Sequence, residues 1–228
     1  MTSQFYWKPI MRPNLIFSAL MALAIAMLAL PASRAQDAPP KPDAIKSGAM
    51  LYTALRCGLC HEISASGINI PPSLTNAGDK FQTAWLEGYL KAPHRRRFES
   101  AGVRPTLRMP NFLLSNEEAR ALAAYLSAQH DSTRITKYEF EFRKNDSTIV
   151  AEGRQIYKEY ACFGCHKIGG EGGEVGPDLS VVGSRLRPQY LAAFLRNPQA
   201  FIPGSPMKSF DLWEEEVRAL VDYLMSLK

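Results

Sequence analysis

Residues 57–63 read CGLCHEI, and residues 162–168 read CFGCHKI. These two stretches hold all 4 cysteines of the chain and half of its 4 histidines. Disulfide bonds would not explain why a histidine directly follows every second cysteine. The repeated Cys-x-x-Cys-His pattern therefore requires a chemical explanation that uses both residue types.

The pattern predicts two sites of covalent haem attachment. A thiol adds across a vinyl group, two cysteines separated by two residues reach both vinyl groups of one haem, and the next histidine binds the iron. The sequence thus predicts two covalently bound haem c groups. The attachment residues are Cys57, Cys60, Cys162 and Cys165, and the iron ligands are His61 and His166.

Zinc binding and a redox dithiol are the alternative interpretations of the four cysteines. Zinc sites built from two Cys-x-x-Cys pairs usually have about 15 to 20 residues between the pairs. Here a whole domain separates them. A thioredoxin-like dithiol accompanies a βαβ pattern, which this sequence does not show.

The first 35 residues look like an export signal. Lys8 and Arg12 precede the uncharged run NLIFSALMALAIAMLAL, and Ser33 and Ala35 offer small residues at a cleavage site. We expect residues 1–35 to be removed and the mature protein to lie in the periplasm, an oxidising space. An uncut membrane anchor is the alternative, because about 17 apolar residues approach the length that spans a bilayer.

The overall charge gives little support to nucleic-acid binding. The chain carries 27 Lys and Arg residues against 22 Asp and Glu residues, and three of the basic residues fall in the first 35. A nucleic-acid-binding domain normally has a stronger basic excess. We therefore expect no nucleic-acid partner.

After a polar, proline-rich tail at 36–43, the chain repeats itself with a period of 105 residues. The pairs are Gly48 and Gly153, Tyr52 and Tyr157, Cys57 and Cys162, Cys60 and Cys165, His61 and His166, Pro72 and Pro177, Trp85 and Tyr190, and Pro93 and Pro198. The repeat predicts two domains, 44–130 and 151–228, with a connector at 131–150. Alternating aromatic and acidic residues predict that the connector is extended, either packed on one domain or exposed as an edge for a partner.

Both copies have helical patterns, so the predicted fold is all-α. Apolar residues recur at helical spacing before each cysteine motif, and a further helix is expected at Gln82–Lys91 and at Pro188–Arg196. The last segment of each copy is amphipathic. Ser115 with Glu118 forms a capping-box pattern, and Asp211 with Glu214 offers a similar start.

The chain resembles the two-domain, two-haem class I cytochromes c of bacterial periplasms. The resemblance covers nearly all of the mature chain and depends on CGLCH and CFGCH, on the prolines of IPPSL and GPDL, and on the methionines of RMPNF and SPMKSF. It implies that the first and last helices of each domain cross at the glycine, with an aromatic residue beside it. It also implies that the carbonyl groups of Pro72 and Pro177 accept hydrogen bonds from the iron-binding imidazoles, and that Trp85 and Tyr190 contact haem propionates; for these two aromatics, simple core packing is the alternative.

Met109 and Met207 are the expected sixth ligands of the two irons. Both lie in proline-flanked loops before the last helix, where a methionine has no core to fill, and a thioether suits haem iron. For Met109 the alternative is His94, which lies nearby, and the first copy also carries seven extra residues in this region. We interpret His94 and His130 as surface histidines. Met50 and Met225 fall inside predicted helices, where packing explains them.

Histidine and methionine on opposite faces leave the iron no open position, so we expect an electron-transfer protein rather than an enzyme. It would carry single electrons between a donor and an acceptor protein, within a respiratory chain or from a dehydrogenase to an oxidase. The alternatives are a haem peroxidase, a sulfur-compound dehydrogenase, or a fixed electron-transfer component of a larger, membrane-associated complex.

The insertion before Met109 is rich in arginine. Its members are Arg95, Arg96, Arg97, Arg104 and Arg108. They predict either a docking face on the first domain for an acidic redox partner or a solvated loop in which one or two arginines neutralise haem propionates.

Overall fold

The computed structural model describes residues 40–64, 72–93, 109–131, 133, 135 and 146–228. The expected signal segment, the arginine-rich insertion with His94, and the aromatic part of the connector lie outside these residues. Within the described part, no helix is long and apolar enough to cross a membrane.

The two halves repeat one order of helices, which confirms the predicted all-α fold with two tandem domains. The first half contains α1 (Pro42–Ala54), a 3₁₀ turn (Cys57–Leu59), α2 (Ala77–Lys80), α3 (Thr83–Lys91) and α4 (Asn116–Ser127). The second contains α5 (Ser147–Glu159), a 3₁₀ turn (Cys162–Gly164), the strands β1 (Lys167–Ile168) and β2 (Glu171–Gly172), α6 (Val182–Arg185), α7 (Pro188–Arg196), α8 (Pro198–Phe201) and α9 (Glu214–Ser226). The strands form a small antiparallel hairpin in which Lys167 lies opposite Gly172.

In each half the first and last helices cross at a glycine. Gly48 of α1 lies so close to α4 that a Cβ atom there would be 2.0 Å from the carbonyl oxygen of Ala121. A Cβ atom on Gly153 of α5 would be 1.9 Å from the carbonyl oxygen of Ala219 in α9. Only a residue without a side chain allows these helix axes to approach so closely, as the resemblance implied.

Tyrosine rings pack beside both crossings. The ring centroids of Tyr52 and Tyr125 are 5.4 Å apart, and those of Tyr157 and Tyr223 are 5.8 Å apart. Both spacings fall in the range that aromatic pairs prefer. The aromatic residue expected beside each glycine therefore contacts an aromatic residue of the last helix.

A second glycine in each half packs against the end of the last helix. A Cβ atom on Gly78 would be 2.2 Å from the carbonyl oxygen of Ser127, and one on Gly183 would be 2.4 Å from that of Met225. Both glycines belong to the short helices α2 and α6. These contacts were not predicted, although the two glycines are 105 residues apart and share the period of the repeat.

The last helix of the first half begins with two reciprocal hydrogen bonds. The Ser115 hydroxyl accepts from the amide of Glu118, and the Glu118 carboxylate accepts from the amide of Ser115, which confirms the capping box. The prediction for the second copy was wrong. Helix α9 begins at Glu214 after Trp213, and the Glu216 carboxylate accepts from the Trp213 amide at 2.8 Å.

Both halves lie within one compact unit that covers Pro39–Lys228. They meet where residues 80–83 face residues 185–187, a contact that we call the interdomain seam. At its centre, Phe81 and Leu186 form an antiparallel β-bridge, and both side chains are buried. The flanking backbone bonds run from the amide of Gln82 to the carbonyl of Arg185 and from the amide of Arg187 to the carbonyl of Lys80, each 2.9 Å long.

Candidate haem sites

Both Cys-x-x-Cys-His motifs form the same tight turn. The residue before each first cysteine has a left-handed backbone, with φ of 55° at Arg56 and 52° at Ala161. This conformation ends the first helix and redirects the chain. The amides of His61 and His166 then donate to the carbonyl groups of Cys57 and Cys162, each at 2.9 Å.

Each motif histidine is held by a proline carbonyl, as expected. The Nδ1 atom of His61 lies 3.0 Å from the carbonyl oxygen of Pro72, and that of His166 lies 2.8 Å from the carbonyl oxygen of Pro177. A carbonyl can only accept, so Nδ1 must carry the proton. The neutral ring then has its lone pair on Nε2, the atom that can bind a metal.

Burial favours the neutral form of the second histidine. It lowers the pKa of His166, while the hydrogen bond to Pro177 acts in the opposite direction. The ring also packs on Gly176, where a Cβ atom would lie 2.4 Å from the imidazole. The backbone at Gly176 therefore fixes one side of the imidazole.

In each half, a tyrosine of the first helix forms a hydrogen bond with the motif. The hydroxyl of Tyr52 donates to the carbonyl of His61, and the hydroxyl of Tyr157 donates to that of His166, both at 3.0 Å. Burial raises the pKa of both tyrosines to about 12, so the hydroxyls remain donors at any ordinary pH. The sequence identified these tyrosines as repeated residues but not this contact.

The cysteines are available for attachment chemistry. None of the four forms a disulfide bond, and in each motif the first cysteine is partly buried while the second is exposed. Burial raises the pKa of Cys57 and Cys162. The described residues contain no group of three or more His, Cys, Asp or Glu side chains that could hold a metal ion. Each pair of thiols instead shares its turn with a single histidine.

A glutamine organises the loop that carries Met207. The side-chain amide of Gln199 in α8 donates to the carbonyl of Ser205 at 2.6 Å and to that of Met207 at 3.3 Å. Its oxygen accepts from the amide of Gly204, which has a φ of 77°. Met207 itself is partly buried and packs against the core. Sequence reasoning missed Gln199, because the two copies lose their common register after Pro93 and Pro198.

Met109 is also partly buried against the core, so the premise that these loop methionines have no core to fill was wrong for both of them. Its competitor His94 lies outside the described residues, so the choice between them stays a prediction. The two remaining methionines of the mature chain differ from each other. Met225 packs partly buried in α9, as expected, but Met50 is 66% exposed on α1, so packing does not explain it.

The aromatic residues expected near haem propionates belong to packed rows of rings. Trp85 stacks between Phe81 and Tyr89, with centroid distances of 4.9 Å on both sides. Tyr190 is 3% exposed and packs on Phe201 at 5.1 Å. Core packing therefore accounts for both, and a role toward propionates stays a prediction.

These residues fit two covalently attached haems. Each motif offers two cysteines outside any disulfide bond and an imidazole whose Nδ1 is bonded to a proline carbonyl, and each half holds a partly buried loop methionine. A sequence model of the cytochrome c family matches residues 45–129 and again residues 150–228. The two matches together cover more than half of the chain and correspond to the two halves of the fold.

Several relatives belong to oxidases or reductases. The CcoP component of a Cbb3-type cytochrome c oxidase of Helicobacter pylori is 24% identical over 76% of this chain and 56% of its own length. A component of the nitric oxide reductase of Paracoccus denitrificans is 35% identical over 33% of this chain and 57% of its own length. A cytochrome c oxidase subunit 2 of Alkalihalophilus pseudofirmus is 35% identical over 39% of this chain and 28% of its own length. The chain spans less than two thirds of each of these relatives.

Proposed function

Because the chain belongs to the cytochrome c family and carries two covalently bound haem c groups, we propose that it transfers single electrons between redox-partner proteins in the periplasm. The observation that carries the proposal is the duplicated turn in which an Nδ1–H donates to a proline carbonyl, so that the lone pair of the neutral ring is on Nε2, the atom that would bind the iron. The haem supplies the one-electron chemistry, cycling between ferrous and ferric iron.

The protein side chains have three tasks in this proposal. Cys57 and Cys60, like their counterparts in the second half, hold the haem through thioether bonds. The proline carbonyls orient the imidazoles and increase their basicity, as hydrogen-bonded ligands do in other metal sites. Met109 and Met207 would supply the remaining iron ligands, so that neither site would have an open position for a substrate.

Ligation by methionine can be tested by substitution. Met207→Ala should abolish about half of the weak red absorption band that methionine ligation gives to ferric haem, and Met109→Ala should abolish the remainder. Each variant should also bind carbon monoxide at one ferrous haem, which the wild-type protein should not do. The exposed Met50 is the matched control, because Met50→Ala should change neither signal.

Carbon monoxide binding by the unmodified protein would instead support the peroxidase or dehydrogenase alternative. An unchanged spectrum in Met109→Ala, together with a changed one in His94→Ala, would assign the first site to histidine. Both outcomes would leave the covalent haem sites intact.

A second candidate function is a fixed electron-transfer component of a respiratory oxidase or reductase. It is favoured by the relative named as part of a Cbb3-type oxidase, whose match runs through 76% of this chain and so through both halves. Purification from native membranes after mild detergent extraction distinguishes the two candidates. A fixed component remains with an oxidase or reductase activity through gel filtration, whereas a carrier separates as a single chain.

The location and the docking face rest on the sequence alone. The apolar segment with small residues before Gln36 supports export to the periplasm, with cleavage at residue 35. The arginines of residues 94–108 support a docking face for an acidic partner, since opposite charges accelerate encounter.

A further inference from the structure

Side chains reinforce the interdomain seam from both directions. The amide of Gln82 donates to two carbonyl groups of the second half, that of Gly183 at 2.7 Å and that of Leu186 at 3.1 Å. In return, the Nε–H group of Arg187 donates to the carbonyl of Phe81 at 3.0 Å. Gln82 and Arg187 are 105 residues apart, so they are counterparts in the repeat. The seam is therefore an approximately two-fold contact between the same segment of both domains.

The seam excludes water at its centre. Phe81 and Leu186, the two residues of the bridge, are 7% and 8% exposed. Hydrogen bonds gain strength in such a low-dielectric environment, and unpaired polar groups become costly there. Sliding or opening of the seam would leave several backbone groups without partners, so the contact favours one arrangement of the domains.

Each side of the seam is joined to its own haem site by a short, hydrogen-bonded path. The residue after each motif histidine accepts a backbone bond from the segment leading to the seam: Leu74 donates to Glu62, and Leu179 donates to Lys167, both at 2.8 Å. From Leu74 the chain passes directly through α2, which ends at Lys80 in the seam. In each domain the seam segment and the motif are thus linked by a backbone hydrogen bond and a short stretch of chain.

We propose that Gln82 and Arg187 are positioning residues that fix one haem domain against the other and so set the rate of electron exchange between the two haems. In this step one electron leaves the ferrous haem of one domain and reduces the ferric haem of the other, so no further reactant is needed. The inference rests on the proposed electron-transfer function. It adds that the two haems act as a coupled pair.

The test uses the mature, haem-loaded protein with Gln82→Glu, which keeps the side-chain shape but removes the N–H donor. The carboxylate would face two carbonyl oxygens, so the state in which the seam is formed should become less populated. Each lost hydrogen bond lowers the ratio of the formed to the open seam about two- to twelvefold. Pulsed electron paramagnetic resonance of the two ferric haems should show one narrow distance in the wild type and a broadened distribution in the variant. The first-order rate of electron equilibration between the haems, measured after flash reduction, should fall severalfold.

The matched control is Gln155→Glu, the same chemical change on the exposed face of α5, where the side-chain amide donates to Glu159. It should leave the distance and the rate unchanged. Arg187→Lys is the second variant, because it keeps the positive charge but removes the Nε–H donor, and it should act in the same direction as Gln82→Glu.

The outcomes separate this inference from the proposed function. Reversible redox titration of both haems, with distances and equilibration rates equal to those of the wild type in both seam variants, overturns the positioning role and leaves electron transfer standing. Failure of the wild-type protein to undergo reversible one-electron reduction would instead contradict the proposed function itself. Unchanged absorption spectra in the variants would show that the haem sites themselves are intact.

Discussion

Replacing Gly48 by alanine should force the two helices of the first domain apart. The added Cβ atom would lie 2.0 Å from the carbonyl oxygen of Ala121 and 2.7 Å from the Cβ atom of Tyr125. Real Cβ atoms essentially never come within 3.0 Å of such neighbours, so α1 and α4 would have to separate by about 1 Å. A backbone carbonyl cannot rotate away as a flexible side chain can.

The expected change in the free energy of unfolding of Gly48→Ala follows from two opposing effects. Overpacking of a close contact typically costs about 1–3 kcal/mol and occasionally more. Alanine recovers up to about 1 kcal/mol of helix propensity relative to glycine. A 1 Å separation along a whole helix pair belongs at the upper end of the first range, so Gly48→Ala should lower the free energy of unfolding by about 2 kcal/mol.

Gly88 provides the matched control in the same domain. It lies inside α3, and a Cβ atom there would meet no atom within 4 Å. Gly88→Ala should therefore raise the free energy of unfolding by about 0.5–1 kcal/mol. Urea titrations of the mature, haem-loaded variants, followed by far-ultraviolet circular dichroism, measure both values. Equal changes in the free energy of unfolding, in the same direction for Gly48→Ala and Gly88→Ala, would refute the close helix crossing.

Two further predictions concern single side chains. Burial, and then the Arg185 cation, lower the pKa of Lys80 from 10.5 to about 8. Between these pH values the unfolded chain binds more protons than the folded chain. The free energy of unfolding should therefore rise with pH in this range, by up to about 3 kcal/mol. Lys80→Met should abolish that rise in urea titrations at pH 7 and pH 10, and a rise that persists would contradict the assignment. Tyr157→Phe removes the hydroxyl that donates to His166 and should cost about 1 kcal/mol in the same assay, whereas no loss would show that the bond is not formed in solution.

The sequence predicted the parts of the molecule that repeat with fixed chemistry. The cysteine motifs, Pro72 and Pro177, and the crossing glycines all recur in the repeat, because each needs one residue type in both copies. The resemblance to two-haem cytochromes c then implied the roles of the prolines and glycines. The helices at Thr83–Lys91 and Pro188–Arg196 also match the predicted ranges within one residue. Periodicity and capping signals are sufficient for such local elements.

The contacts between distant segments could not be predicted in the same way. Gln82 and Arg187 are counterparts with different side chains, so comparison of the two copies does not reveal them. The cap of α9 was misplaced because Trp213 has no side-chain acceptor, and a pattern search prefers the nearby Asp211. Met50 lies on a predicted helix, but the direction it faces depends on which surface α4 covers.

The charged residues at the interdomain seam favour one arrangement of the two domains over the others. The Lys80 ammonium lies 5.1 Å from the ring centroid of Phe81 in its own domain and 5.1 Å from that of Tyr190 in the other. Its counterpart in the repeat is Arg185, so both copies place a cation at this contact, and burial together with like charge disfavours the protonated lysine. Cation–π attraction of about 2 kcal/mol for a desolvated pair offsets part of that cost. The attraction exists only when Tyr190 faces Lys80, so this partly buried charge penalises every other arrangement of the two domains. Such a contact lowers stability but selects one arrangement of the domains. A fixed distance between two redox centres requires that selection.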